Sequence, residues 1–246
     1  MEELIKEDEC LDDLQNGYML IQKNNAFKFG VDAVLLADFA DVKRSDQVLE
    51  MGTGTGIIPI LLHAKKQPAS ITALEIQAEM ADMAQRNIKY NKLEDKISIL
   101  HMDLKEAPEA LGRAKYDCVV TNPPYVKKEA GINNPEESKA IARFEITCTL
   151  QNVISTSKEL LRTGGKLFMV HRADRLVDII FEMRSQGVEP KRIRFVHSNA
   201  GKRPHLILIE GVRGGRPELK FMDPLYIYDS IGDYTEEIHR IYGRIK

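Results

Sequence analysis

Short runs of branched apolar residues alternate in this 246-residue chain with longer stretches whose apolar positions recur every three to four residues. That alternation is the pattern of a parallel sheet covered by helices. The runs predict strands at Gln47–Met51, Ser70–Leu74, Lys96–His101, Tyr116–Thr121, Lys166–His171, Arg192–His197 and His205–Glu210. Helical spacing predicts helices over Gly56–Lys65, Ala78–Asn91, Ile146–Leu161 and Asp174–Gln186, the last capped by Asp174. The fold class expected is α/β, with a seven-stranded, mostly parallel open sheet and helices on both faces. Upstream, Leu4–Asn16 reads as a mobile acidic leader and Gly17–Gln22 as a short strand. Phe29–Ala40 reads as a helix with Val31, Leu35 and Phe39 at fourfold spacing. The division expected is a leader over 1–26 and one catalytic domain over 27–246. After Gly211 the pattern weakens, leaving a short strand at Tyr226–Tyr228 and a helix at Thr235–Ile241.

Composition adds few constraints. The N-terminus MEELIKEDEC is acidic where an export signal needs basic residues, and no apolar run approaches the roughly 20 residues of a membrane span. A cytoplasmic protein with no membrane partner is expected. Cys10, Cys118 and Cys148 are too far apart to suggest a metal pair, and no two of the six histidines have ligand spacing. They read as reduced thiols without chemistry, and no metal is expected. The net charge of −2 conceals a basic segment from Lys191 to Lys220, with eight basic residues against Glu210 and Glu218. Such a segment suits either solvated strand flanks or contact with phosphates.

The first candidate chemistry is VLEMGTGTG, residues 48–56, where a buried-strand pattern runs through glycines into a helix. Gly52, Gly54 and Gly56 permit positive φ and close approach of a ligand, and the helix N-terminus offers free amides. The turn reads as a nucleotide-type site. The dinucleotide fingerprint GxGxxG requires a glycine at 57, where this chain has Ile57. The GxGxG spacing instead resembles the first motif of class I methyltransferases, whose cofactor S-adenosylmethionine lays its methionine and ribose across the turn. Glu75 ends the second of the seven strands, 23 residues after Gly52, and a carboxylate there suits both ribose hydroxyls. Asp103 and Leu104 follow the third strand, placed to accept from the cofactor's adenine amino group and to cover its ring. Asp103 equally suits a plain turn or cap. Glu50 is a candidate for the cofactor's ammonium, through a water or an amide.

The fourth strand runs into Asn122-Pro123-Pro124-Tyr125 at the edge where open α/β sheets bind ligands. Two prolines fix φ and remove two backbone donors, which leaves carbonyls facing a ligand. An exocyclic amino group or side-chain amide is a poor nucleophile because its lone pair is delocalised. If the Asn122 side-chain oxygen and the Pro123 carbonyl each accept one of its N–H groups, the lone pair turns towards the methyl donor, by orientation and electrostatics. Tyr125 offers a stacking face for a flat target.

NPPY resembles the motif of amino-methyltransferases that act on adenine, guanine or glutamine. The segment FKFGVDAVLLADFA, residues 27–40, is similar to the matching motif of the bacterial valine-tRNA adenine-N6 methyltransferases. The resemblance spans most of residues 17–246. It implies a Rossmann-like class I methyltransferase fold, with RPHLILIEGVRGG as a late antiparallel strand and a basic loop. It implies S-adenosylmethionine as cofactor, Gly30 and Asp32 as cofactor-side residues, and tRNA as partner through the 191–220 segment. Release-factor glutamine methyltransferases also carry NPPY, but usually after a long helical domain, whereas 47 residues precede Val48 here. Protein glutamine-N5 methylation, guanine-N2 methylation of rRNA, and a cofactor-sensing or RNA-binding module without turnover remain the alternatives.

Overall fold

The computed structural model describes residues 4–14, 17–24, 30–123 and 149–245. Its central elements are strands β3 (Gln47–Met51), β4 (Ser70–Glu75), β5 (Ile97–His101) and β6 (Tyr116–Thr121), with helices α2 (Ile57–Lys66), α3 (Ala78–Tyr90) and the short α4 (Ala107–Leu111) between them. Helix α1 (Val31–Phe39) precedes this set. Helix α5 (Leu150–Leu160), β7 (Leu161–Arg172), α6 (Leu176–Ser185), β8 (Val188–His197) and β9 (Pro204–Arg213) follow it. All seven expected strands form, and the last three begin earlier than their apolar runs. In β7 the glycines at 164 and 165 interrupt the pattern although the ladder starts at Leu161, opposite Tyr116.

Two-residue strands β10 (Lys220–Phe221) and β11 (Leu225–Tyr226) both pair with β8, and α7 (Glu236–Ile241) follows a Thr235 cap. Among the described residues the main sheet therefore has nine strands, in the order β10-β8-β9-β7-β6-β3-β4-β5 with β11 also on β8. Strand β9 runs antiparallel to β7 and β8, and the other pairings are parallel.

Alternate residues of the central strands enter two cores, because both faces of the sheet are covered. Val48, Val120, Phe168 and Val170 pack with Leu35, Ile60, Ile88 and Ile238 of α1, α2, α3 and α7. Leu49, Met51, Val119, Leu167 and Met169 pack with Val153 and Ile154 of α5 and with Ile179 and Met183 of α6. The carboxyl ends of β3, β4, β5, β6, β7 and β8 consequently share one edge of the sheet.

The acidic leader predicted over Leu4–Asn16 is corrected in its described part. Glu9–Asp13 (β1) pairs antiparallel with Met19–Lys23 (β2), and the hairpin docks on α3. Glu9 is buried against Arg86, whose guanidinium donates to both carboxylate oxygens at 2.6 and 2.7 Å. Burial alone would raise the Glu9 carboxyl, but Arg86 and the Lys6 amide outweigh it and hold it below its usual value. One turn apart on α3, Asn87 and Asn91 bond the amide and carbonyl of Ile21 and of Met19, so two side-chain amides stand in for a neighbouring strand.

Two helix starts also differ. Arg172 takes the Asp174 carboxylate at 3.0 Å, so Asp174 lies in a single 3-10 turn and α6 begins at Leu176. The predicted Ile146–Leu161 helix begins, within the described residues, at Leu150 behind a reciprocal Thr149–Asn152 cap. No helix among the described residues is long and apolar enough to cross a membrane.

Candidate active site

The glycine turn crosses from β3 to α2 at the carboxyl edge, and its backbone is fastened to β4. The amides of Gly52 and Thr53 donate to the Leu74 carbonyl at 2.9 and 3.0 Å, and the Gly54 amide donates to Glu75 Oε2 at 2.8 Å. The Gln77 amide donates to Glu75 Oε1 at 2.9 Å, so each carboxylate oxygen is held by one amide and keeps a second acceptor position. Asn87 closes the far side of the turn by donating to the Thr55 carbonyl at 2.9 Å.

The turn's glycines divide by what they face. Gly54 has φ +56°, and a Cβ built there meets no atom beyond its chain neighbours within 4 Å among the described residues. At Gly56, with φ +82°, a Cβ would lie 3.3 Å from the Ala84 methyl on α3. The first position leaves space for a guest, while the second lets α2 and α3 approach. Gly54→Val is therefore expected to leave a folded protein, strained by about 1–2 kcal/mol at the left-handed residue, with no S-adenosylmethionine binding detectable by calorimetry. Binding equal to that of the unaltered protein would contradict this use of the turn.

Beneath the turn, Glu50 is fully buried and neither of its oxygens has a hydrogen-bond partner among the described residues. Burial raises its carboxyl from 4.5 to about 8; the nearby Thr53 side chain opposes the rise and the Glu75 charge adds to it. A buried acid without a donor is a costly feature of a folded chain. A cationic group seated on the turn would offset that cost. The orphaned carboxylate, the open Gly54 and the half-free Glu75 together fit a ligand that carries an ammonium and a diol, as S-adenosylmethionine does.

Asp103 caps the 3-10 turn Leu104–Glu106, accepting from the Lys105 amide at 3.0 Å, and its other oxygen lies 3.2 Å from the Lys105 ammonium. Its carboxylate is thus partly engaged as a turn former. Leu104 is buried in the core beside Leu49, Met51 and Leu74. Gly30 is the N-terminal cap of α1 and Asp32 lies in its first turn.

Asn122 and Pro123 leave the end of β6, the strand next to β3, and Asn122 is half-buried. Thr121, just before them, donates through Oγ1 to the Met51 carbonyl at 3.0 Å, tying this tip to the start of the glycine turn. Pro124 and Tyr125 lie outside the described residues.

The structure brings together Glu50, Gly52, Gly54, Gly56 and Glu75, with Asn122 and Pro123 one strand away and Asp103 two strands away on the other side. Three residues at this edge escaped the sequence reading. Asn87 and Thr121 brace the turn and the β6 tip. His171, on the strand next to β6, is buried and accepts from the Arg172 amide through Nδ1 at 2.8 Å. Burial lowers its imidazole to about 4, so it stays neutral at ordinary pH. The only sequence signal for Asn87 was an amide on the apolar face of a helix, and for His171 a histidine ending an apolar strand. Elsewhere, Cys118 is buried with its thiol donating to Asp46, and burial pushes that thiol well up. Among the described residues no group of three or more His, Cys, Asp or Glu could hold a metal ion.

The basic segment does not form one continuous face. Strand β8 runs about 30 Å across the sheet, and Arg213 pairs opposite Val188 at its far end while Lys202 and Arg203 occupy the turn beyond His197. Of the segment's lysines and arginines only those two stand at the edge with the glycine turn. Arg192 binds Glu210 at 2.8 Å and lies over the Phe39 ring, and Arg194 binds Glu237 at 2.7 Å. Arg213 donates to the Leu161 carbonyl. These three arginines serve the fold.

The profile of the methyltransferase small domain matches residues 25–183. A Parabacteroides distasonis protein named tRNA1(Val) (adenine(37)-N6)-methyltransferase is 30% identical over 75% of this chain and 76% of its own length. A protein of the same name from Porphyromonas gingivalis is 28% identical over 89% of each chain. Among solved structures, one described as a predicted O-methyltransferase from Agrobacterium tumefaciens superposes with a TM-score of 0.69 at 22% identity, covering 86% of this chain and 95% of that one. At that identity the superposition speaks for the Rossmann-like methyltransferase fold, and the strand order and glycine turn agree with it. The profile match and the Parabacteroides relative, set beside that geometry, place this chain in the methyltransferase small domain family.

Proposed function

We propose that this methyltransferase transfers the methyl group of S-adenosylmethionine to N6 of an adenine in tRNA, the adenine at position 37 named in its relatives being the first candidate. The observation that carries the reading is the placement of Asn122-Pro123 at the end of β6, beside a glycine turn whose buried Glu50 lacks a partner among the described residues. When bound, the cofactor would supply an electrophilic methyl on its sulfonium, the sulfur leaving as a neutral thioether with the S–C electron pair as the new N–C bond forms.

The chain's residues bind, orient and exclude water. Glu50 offsets the charge of the cofactor's ammonium, Glu75 accepts from the ribose hydroxyls, and Gly52, Gly54 and Gly56 let the backbone pass close beneath. Asp103 accepts from the cofactor's adenine with the oxygen capacity its capping role leaves, and Leu104 borders that ring. Gly30 and Asp32 would border the methionine end. Asn122 Oδ1 and the Pro123 carbonyl accept the two N–H groups of the target nitrogen and turn its lone pair to the methyl. Tyr125 stacks on the base, and Pro124 keeps the backbone free of competing donors. One N–H proton becomes acidic once the new N–C bond forms and passes to solvent, so no strong base is needed. Lys202 and Arg203, the members of the basic segment at this edge, contact phosphates.

Incubation with methyl-labelled cofactor and bulk tRNA, followed by nucleoside analysis, tests the assignment. Label in N6-methyladenosine is the expected result. Label in N2-methylguanosine or in release-factor glutamine, with none in adenosine, would contradict it.

A further inference from the structure

At the same edge as the glycine turn, the chain after β11 builds an aromatic stack. The Tyr228 amide donates to the Ser198 carbonyl at 2.7 Å, which fixes Tyr228 just past the end of β8, beside the turn that carries Lys202 and Arg203. The rings of Tyr228 and Tyr234 stack at 5.3 Å and 14°, and those of Tyr234 and Tyr242 at 5.8 Å and 17°. The Arg244 guanidinium lies 5.5 Å from the Tyr234 ring and 4.9 Å from that of Tyr242. The inner end of the stack packs against the core that holds Leu35 and Phe39 of α1, and burial pushes the Tyr242 hydroxyl up to about 12.

The outer end is open: Tyr228 is 40% exposed. The loop behind it is rigid, since Asp229 Oδ1 accepts from the amides of Ile231, Gly232 and Asp233 at 2.9, 2.9 and 3.1 Å. That turn presents Ile231 to solvent with 81% of its surface exposed.

We propose that the outer face of Tyr228, backed by Tyr234 and Tyr242 and flanked by Ile231, is a stacking platform for an unpaired base of the RNA substrate, near but distinct from the target base. This rests on the tRNA reading above. Three features favour a base over other occupants. A preassembled stack of parallel rings extends naturally by one more flat ring, with little ordering left to do on binding. The loop itself carries Asp229 and Asp233, so it offers a ring and an apolar tip while the adjacent Lys202 and Arg203 supply phosphate contacts. Finally, β11, β8, β9, β7 and β6 follow one another across the sheet. Four strand spacings put the platform about 19 Å from the Asn122 tip, within the span of a short single-stranded loop whose target base is held out of the stack.

The experiment compares Tyr228→Leu, Tyr228→Ala and Tyr228→Phe with the unaltered protein. Readouts are the Kd for a tRNA anticodon stem-loop at several salt concentrations, the Kd for S-adenosylmethionine, and the melting temperature. The Leu and Ala variants are expected to bind the stem-loop about 10- to 100-fold more weakly, with the slope of affinity against salt, the cofactor Kd and folding unchanged. The Phe variant keeps the ring and should match the unaltered protein. RNA affinity in folded Tyr228→Leu equal to that of the unaltered protein would overturn the platform while leaving the tRNA reading intact. No RNA binding or methylation by the unaltered protein would remove both.

Discussion

Asn122→Ala is expected to lower kcat on tRNA by about 100- to 1,000-fold, the usual cost of removing one preorganised partner of a reacting group, while the Kd for S-adenosylmethionine stays within about twofold. Asn122 stands at the tip of β6, and the turn that would carry the cofactor runs from β3 into α2 and is fastened to β4. Losing the side-chain amide frees one N–H of the target nitrogen and lets its lone pair rejoin the ring, with no effect on the seat of the sulfonium. Single-turnover rates with saturating tRNA, set beside calorimetric cofactor affinities, separate the two effects. Equal losses in rate and cofactor affinity would mean that Asn122 supports the fold of the pocket. Asn122→Asp keeps an acceptor oxygen but adds charge, and an intermediate rate is expected from it.

Cofactor affinity is expected to rise about tenfold per pH unit below pH 8 and to stop rising there, because the cofactor's own ammonium begins to lose its proton above about pH 8. Glu50 in the folded protein holds its proton up to about pH 8 because it is buried, and a bound ammonium favours the ionised form. Binding therefore releases a proton wherever the free protein still carries one. The same shift fixes the sign of the effect on stability. A carboxyl that binds its proton more tightly when folded contributes full stability below its unfolded value of 4.5, and loses that contribution as pH rises through about 8. Without cofactor, Glu50→Gln should accordingly melt higher than the unaltered protein at pH 8, while binding S-adenosylmethionine more weakly and with a flat pH profile. Calorimetry in buffers of different ionisation enthalpy measures the released proton directly. A pH-independent affinity in the unaltered protein would show that the ammonium sits elsewhere.

What the sequence made legible follows from where local pattern and tertiary context agree. β3 and β6 lie at the centre of the sheet with both faces covered, so their runs are apolar apart from Gln47 and Asp117 towards the amino ends and Glu50 and Thr121 towards the ligand edge, and their bounds match the expected ones residue for residue. The carboxylate ending β4 and the asparagine ending β6 were readable because strand ends put chemistry at a known edge.

Of the hairpin only β2 was readable, as the short strand expected over Gly17–Gln22; β1 and its pairing were not. Its charges look solvated until Arg86 and Asn87, some 65 to 80 residues away, supply partners. The orphan state of Glu50 was equally hidden, since its burial is a property of the covered sheet. The basic segment misled for a geometric reason. A segment that runs up one long strand and back down its antiparallel neighbour spreads its residues over the whole length of the strands, so only the turn between them reaches the ligand edge. The tyrosine stack joins residues 6 and 8 apart through a turn and a helix, a spacing that signals nothing by itself.

The central claim is that two oxygens at the β6 tip hold the nitrogen that receives the methyl group. A crystal structure of the protein with S-adenosylhomocysteine and an anticodon stem-loop measures this directly. The predicted result places adenine N6 about 2.7–3.2 Å from both Asn122 Oδ1 and the Pro123 carbonyl oxygen, with the base plane beside the cofactor sulfur. An adenine bound at that edge with its amino group turned away from Asn122, or a different group held by those two oxygens, would contradict it.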